Sequence, residues 1–373
     1  MDRTVDMDIV KLKDLTVDGK GTYGVAAPAV EYQENLPTYL RITDILDDGT
    51  LNLSELKSVK VPDSERYMLR PNDIVFARTG GSTGRNYFYD GTDGAFVYAG
   101  FLIKFSLDPK KVNPKFIKYF CQSEQYKQWV RSFNTGSTRG NINAQTFGNM
   151  EIALPGRKQQ DHLVSVLESM GKKIKLNKKI NDNLQQQAQA IYTSMFINNA
   201  DPAWRQGHLS DLITVKYGKD HKKLSDGCYP VYGSGGIMRY VERPLYDKES
   251  VLIPRKGTLN NVIYVNQPFW SVDTMFYTEM RLPNVAKYVF HFIKSKDLAS
   301  MNAGSAVPSM TTDILNAIEV AIPSAQDLEK FETLVSPLYR AVQENNIQSA
   351  KLAELRDTLL PKLMSGELDV SNI

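Results

Sequence analysis

A chain that contains itself twice is constrained to fold as two related units, and this one repeats at a single spacing. Asn134-Thr135-Gly136-Ser137 returns as Asn302-Ala303-Gly304-Ser305, and Met150-Glu151-Ile152-Ala153-Leu154-Pro155 returns as Ile318-Glu319-Val320-Ala321-Ile322-Pro323, both displaced by 168 positions. Two motifs held in one register point to a duplicated unit. The length of 373 residues leaves room for two to three domains.

A long helical pattern follows each repeated proline. In the first copy, steps of four and three residues pick out Leu163, Leu167, Met170, Ile174, Asn177, Asn181, Leu184, Ala188, Ile191 and Met195. Adding 168 gives Phe331, Val335, Leu338, Val342, Asn345, Ser349, Leu352, Arg356, Leu359 and Leu363, so the heptad phase survives the duplication. This is the pattern of two helices built for a shared coiled-coil seam. The expected seam contacts are Leu167, Ile174, Asn177, Leu184 and Ile191 on one helix and Val335, Val342, Asn345, Leu352 and Leu359 on the other. Asparagines in the middle cost stability and fix register. Helix one is expected to start near Gly156 and stop before Asp201-Pro202; helix two opens at Ser324, a cap for Asp327, and ends near Gly366. Pro337 and Pro361 fall inside the second ladder, where a kink or break is expected. The lysine-rich run 172–179 on helix one faces a net-acidic helix two, which suits mutual pairing.

The segments before each helix, 1–155 and 201–323, read as short β-branched and aromatic runs between Gly/Asn/Asp/Pro turns, such as Asp73-Ile74-Val75-Phe76-Ala77 and Ser250-Val251-Leu252-Ile253. Each carries one helical stretch, at 114–132 with Pro114 as its first residue and at 285–300, and Lys118-Tyr119 matches Lys287-Tyr288.

Composition narrows the function classes. At 42% hydrophobic and 23% charged the chain has the make-up of an ordinary globular protein, and no stretch approaches the ~20 apolar residues of a membrane span. Residues 1–10 carry Asp2, Arg3, Asp6 and Asp8 in place of a secretory apolar core, so a cytoplasmic location is expected. Cys121 and Cys228 lie far apart and the four histidines are scattered, which argues against a zinc site or a disulfide framework. The formal net charge is only +3, with 21 basic and 19 acidic residues in 1–158 and 14 against 12 in 201–325, so any nucleic-acid surface is a local patch.

Catalytic signatures are not found. Gly80-Gly81-Ser82-Thr83-Gly84-Arg85 does not continue as a P-loop, Asn113-Pro114-Lys115-Phe116 lacks the second proline of an amino-methyltransferase motif, and Asp108-Pro109-Lys110 lacks the second carboxylate of a metal-dependent nuclease. What recurs is a loop after a strand. Arg78, Thr79, Ser82, Thr83 and Arg85 follow the first, and Arg255, Lys256, Thr258 and Asn260 follow the second. Tyr232 and Ser234 lie in the hairpin sequence 229–237, and Ser137, Thr138 and Arg139 close the repeated Gly-Ser motif. Arginine offers a bidentate donor pair to guanine or phosphate, Asn reads adenine, and Ser and Thr reach either, so these are the candidate DNA contacts. Each is equally compatible with an ordinary surface hairpin.

Tyr229-Pro230-Val231-Tyr232-Gly233-Ser234-Gly235-Gly236-Ile237, then Arg255-Lys256-Gly257, Phe269-Trp270-Ser271-Val272-Asp273-Thr274-Met275-Phe276-Tyr277 and Leu359-Leu360-Pro361-Lys362-Leu363-Met364-Ser365-Gly366-Glu367-Leu368 are together typical of one family. With its two-copy layout, the chain resembles the specificity subunit of type I restriction-modification enzymes over essentially its whole length. The resemblance implies an α+β protein: target-recognition domains at 1–155 and 201–323, separated by spacer helices at 156–200 and 324–373 that pair as an antiparallel coiled coil, the whole a pseudo-two-fold internal repeat. It implies no catalysis and no cofactor in this chain. Double-stranded DNA, two modification subunits that methylate adenine with S-adenosylmethionine, and restriction subunits that use ATP and Mg would be its partners. Each domain would read one half of a bipartite target, with centres roughly 10–16 bp apart. A stand-alone DNA-binding adaptor or regulator is the alternative.

Overall fold

The computed structural model describes residues 7–133, 140–301 and 309–364. Contacts divide the chain into two units, Met1–Lys175 with Gln348–Ile373, and Leu176–Ile347, so each unit holds one globular half and one half of each long helix.

In unit 1, β1 (Met7–Lys11) pairs antiparallel with β10 (Glu151–Pro155), closing the globular part where the long helix leaves it. The main antiparallel sheet has the order β2 (Thr22–Tyr23), β9 (Leu102–Ser106), β6 (Asp73–Ala77), β7 (Asn86–Tyr89). A second sheet runs β3 (Ala29–Glu31), β5 (Lys57–Val59), β4 (Thr38–Leu40), β8 (Phe96–Tyr98), with only the β4–β8 pair parallel. Every residue of β6 is buried, and its alternation explains why. Ile74 and Phe76 face the helices while Val75 and Ala77 face a second core with Leu40, Tyr87 and Tyr98, so an unbroken apolar run serves two layers.

Unit 2 repeats this plan. β11 (Arg205–His208) pairs with β19 (Glu319–Ile322); the main sheet is β12 (Ile213–Tyr217), β18 (Met275–Met280), β15 (Ser250–Pro254), β16 (Ile263–Val265); the second is β14 (Gly236–Val241), β13 (Asp226–Gly233), β17 (Trp270–Ser271). Central β15 is again wholly buried, with Val251 and Ile253 in one core and Leu252 in the other.

The helical stretch expected over 114–132 is two helices, α1 (Pro114–Phe120) and α2 (Glu124–Arg131). Asn113 caps the first, accepting from the Lys115 N–H at 3.0 Å, and Ser123 caps the second, accepting from the Tyr126 N–H at 3.3 Å. A serine at that point offers the backbone a competing partner, which ends one helix and starts another. Short α3 (Ala144–Gly148) precedes β10 and the long α4 (Arg157–Thr193) follows it. Unit 2 adds α5 (Leu209–Leu212), α6 (Ala286–Lys294), α7 (Thr312–Asn316) and α8 (Ala325–Met364). α3 and α7, β10 and β19, and α4 and α8 all begin 168 residues apart. The match of Lys118 with Lys287 is corrected. α1 and α6 begin at 114 and 286, and the second residue of each, Lys115 and Lys287, reaches a glutamate of a long helix, Glu168 at 2.5 Å and Glu332 at 2.7 Å. On that alignment Tyr119 is the counterpart of His291.

The long helices are antiparallel. In unit 1, Leu163, Val164 and Leu167 near the start of α4 share a core with Leu360 near the end of α8, and Leu359 packs against it. In unit 2, Ala188 and Tyr192 near the end of α4 share a core with Leu328, Phe331 and Val335 at the start of α8, with Ile191 and Leu338 beside them. Ile174, Leu184, Val342, Asn345 and Leu352 are half-buried. Asn177 is fully buried and donates from Nδ2 to the carbonyl of Asn345, its own repeat image, at 3.3 Å; Asn345 Nδ2 donates to Asn181 Oδ1 at 2.9 Å. Slipping this register would strand buried amides, so the asparagines tie the pairing to one alignment. α8 runs unbroken through Pro337 and Pro361, against the expected kink or break. Both prolines are exposed, so their rings leave the seam alone, and Phe331, Val335 and Leu360 hold the turns around them. At its start, Ser324 Oγ accepts from the Asp327 N–H at 3.1 Å, as expected. α4 ends in a π-helical turn, Ser194–Asn198, before Asp201-Pro202.

Candidate nucleic-acid interface

Buried strands β6 and β15 each deliver an arginine to their exit, and the two exits have the same construction. The Arg78 N–H donates to the Phe101 carbonyl at 3.0 Å and the Arg255 N–H to the Thr274 carbonyl at 2.9 Å. Their own carbonyls accept from Ile142 and Met310, both at 2.9 Å. The next residues, Thr79 and Lys256, form antiparallel bridges to Asn141 and Ser309. Gly80 and Gly257 then turn with φ of 79° and 84°, a conformation that favours glycine.

Each guanidinium lies over a tyrosine. The Arg78 carbon is 5.2 Å from the Tyr23 ring centre and the Arg255 carbon 5.4 Å from that of Tyr217. These rings are 42% and 53% exposed, so the pairs sit at the surface. Stacking fixes the plane of the fork while leaving its edge to donate, the arrangement that suits a phosphate or a guanine edge. Arg78 Nε is buried with no hydrogen-bond partner among the described residues, and Arg255 Nη1 donates to the Asp273 carbonyl at 3.1 Å. Sequence reasoning missed both tyrosines. A signal existed: each is followed by a glycine, and a Cβ on Gly24 or Gly218 would come within 2.2 Å of the Tyr98 carbonyl or 2.0 Å of the Val272 carbonyl. Tyr-Gly recurs because the backbone must cross the second sheet closely there.

Other candidates are held by local structure. Thr83 Oγ1 donates to the carbonyls of Gly80 and Gly140, at 2.8 and 2.9 Å. Arg85 pairs with Asp47 at 2.7 Å and donates to the Ile45 carbonyl, and half-buried Ser82 accepts from it at 3.5 Å. Tyr232 is a core residue, 8% exposed. Asn260 bonds Asp297 and the Ala299 N–H at 3.0 and 3.1 Å. The Ser234 carbonyl accepts from Asn261, while Lys256 and Thr258 are exposed. Ser137, Thr138 and Arg139 lie outside the described residues.

Among the described residues no cluster of three His, Cys, Asp or Glu could hold a metal, and no helix is long and apolar enough to cross a membrane. His291, 2% exposed, is bonded through Nδ1 to Gln189 of α4 at 2.8 Å and through Nε2 to the Tyr339 hydroxyl of α8 at 2.9 Å. Burial, with Lys294 adding to it, pushes its pKa down to about 4.

Comparison with known proteins agrees with the doubled architecture. The family model for the type I restriction modification DNA specificity domain matches residues 5–186 and again 203–352. The specificity subunit of the type I restriction enzyme HindI from Haemophilus influenzae is 20% identical over 88% of this chain and 94% of its own. That of MjaIX from Methanocaldococcus jannaschii is 20% identical over 69% and 70%. The crystal structure of the type I restriction-modification S subunit from M. genitalium covers all of this chain and 98% of its own at 19% identity with a TM-score of 0.62, which shows a common fold. With two copies of the domain spanning most of its length, the chain belongs to the type I restriction-modification DNA specificity family.

Proposed function

We propose that this chain is the non-catalytic reading subunit of a DNA adenine methyltransferase and endonuclease complex. Each unit reads one half of a bipartite, asymmetric target, and the paired helices set the spacing and dock two modification subunits. S-adenosylmethionine, ATP and Mg act on the modification and restriction subunits. Family membership favours this over a stand-alone regulator. The observation that carries it is the arginine laid on an exposed tyrosine at the same place in both units, Arg78 on Tyr23 and Arg255 on Tyr217, amid loops that otherwise differ. Equal frames with unlike loops read unlike half-sites. Because the net charge is only +3, much of the phosphate neutralisation falls to the partners, and the chain alone binds DNA weakly.

The test uses the complex assembled with its modification subunits and the target found by mapping methylated adenines. Arg78→Ala and Arg255→Ala each weaken discrimination at one half-site, by roughly 1–3 kcal/mol for a bidentate base contact. Equal weakening on every duplex would make them phosphate clamps instead.

A further inference from the structure

The units differ at the outer edge of the second sheet. Both contain the same parallel pair, β4 with β8 and β13 with β17, and both add an antiparallel neighbour, β5 or β14. In unit 1 the far side of β5 is covered by β3, with Ala29, Val30 and Glu31 opposite Val59, Ser58 and Lys57. In unit 2 β14 is the edge strand among the described residues. It carries Ile237, Met238 and Tyr240 at 50%, 61% and 50% exposure, whereas Ser58 and Val59 of β5 are buried. An edge strand that leaves three large apolar side chains bare is an interaction surface.

Its surroundings say what it meets. Asn261 Nδ2 donates to the Ser234 carbonyl at 2.6 Å, tying the hairpin tip to the loop that bears Arg255 and Lys256. Arg239 Nη2 donates to the Leu224 carbonyl at 3.0 Å, tying β14 to the segment just after Lys222 and Lys223. Lys219, Lys222, Lys223 and Lys256 are exposed and make no salt bridge among the described residues. Residues 214–261 hold nine lysines and arginines against five acidic residues. Lysines around an edge deter a second protein strand and attract a polyanion, so the apolar tip with its basic rim fits duplex DNA.

We propose that the β13–β14 hairpin is a DNA wedge. Ile237 and Met238 enter a groove at the half-site bound by unit 2 and unstack one base step, kinking the duplex there and leaving the half-site of unit 1 straight. The lysines beside the hairpin hold the flanking phosphates, and the left-handed turn at Gly236, φ 110°, keeps the tip narrow. Other wedge proteins kink DNA by roughly 20–90°. The inference rests on the reading of each unit as a half-site reader.

The experiment places 2-aminopurine at successive steps of the mapped target and measures its fluorescence in the assembled complex, beside the Ile237→Ala/Met238→Ala double variant. Both side chains are exposed, so the variant folds, and its urea midpoint checks this. The expected result is a roughly threefold rise at one step in one half-site, lost in the variant together with the bend seen in circularly permuted fragments. A complex that binds tightly with every step stacked, or a variant with the same signal, overturns the wedge alone. A variant that loses modification subunits while keeping the kink also overturns it, by assigning the edge to a protein strand. A complex with no preferred target overturns the reading beneath it as well.

Discussion

Unit 1 and unit 2 put a lysine at the same place and surround it differently. Lys115, its side chain 37% exposed, meets Glu168 at the surface of its helix. Lys287, 5% exposed, sits between Glu249 and Glu332 at 3.0 and 2.7 Å, with the Tyr264 and Tyr339 ring centres 5.3 and 5.7 Å away. The duplicated frame fixes which residue faces the long helix; burial decides how much that residue matters. Removing Lys287 leaves two carboxylates facing a hole and strips two rings of their cation. Lys287→Ala therefore costs unit 2 roughly 4 kcal/mol, while Lys115→Ala costs unit 1 less than about 1 kcal/mol. Urea unfolding followed through Trp129 for unit 1 and Trp204 and Trp270 for unit 2 measures both, and equal losses would break the comparison.

The next effect separates the units by pH. His291 is packed against Tyr192, Phe290 and Phe331 and bonded to Gln189 and Tyr339, with Lys294 the charge acting on it. With a folded pKa of about 4 against 6.5 when unfolded, the open chain takes up a proton that the fold refuses. Unit 2 therefore keeps its full stability above pH 6.5 and loses it as pH falls towards 4, by about 3 kcal/mol at most. Its counterpart Tyr119 is raised to about 12 by burial and the Glu168 charge, but burial also raises Tyr192, Tyr288 and Tyr339 of unit 2, so both units lose stability as pH climbs above 10 and only the acid limb separates them. Urea midpoints at pH 7 and 4.5 should diverge more for unit 2 than for unit 1, where only the lowered carboxyls of Glu31, Asp48, Asp90 and Asp161 respond to acid, and His291→Gln should remove the excess. An acid loss of equal size in both units would assign it to something other than this imidazole.

What the sequence showed and what it hid divide along the range of the interactions. The helix ladder was legible because a single buried seam imposes one period on Leu163 through Met195 and on its copy. Arg78 and Arg255 were legible from a wholly apolar run that stops at Arg-x-Gly. Tyr23 and Tyr217 were not, since each lies on a separate strand and meets its arginine only through tertiary folding. The covering of β5 by β3 was hidden for the same reason, as three residues with no alternation of their own gain their strand from a neighbour. The continuity of α8 through Pro337 and Pro361 reflects packing that overrides a local cost. Ser123 was the avoidable miss: Gln122-Ser123-Glu124-Gln125 is a polar break between two apolar stretches, and a serine there is a cap that the sequence displays.

The smallest effect tests the distinction between an arginine held by a ring and one held by a carboxylate. Arg85 lies seven residues from Arg78 but spends its guanidinium on Asp47 and the Ile45 carbonyl, where it secures the loop whose Leu46 N–H donates to the Thr50 carbonyl at 2.9 Å. Asp47 is 85% exposed, so solvent screens the pair and Arg85→Ala should cost less than about 1 kcal/mol. Amide exchange at Leu46 should quicken, because that bond loses its anchor while the core of β6 stays intact. Half-site discrimination should hardly move, in contrast to Arg78→Ala. Were both substitutions to weaken the same half-site equally, Arg85 would have to leave Asp47 on binding. Stacking on Tyr23 would then no longer mark which arginine reads.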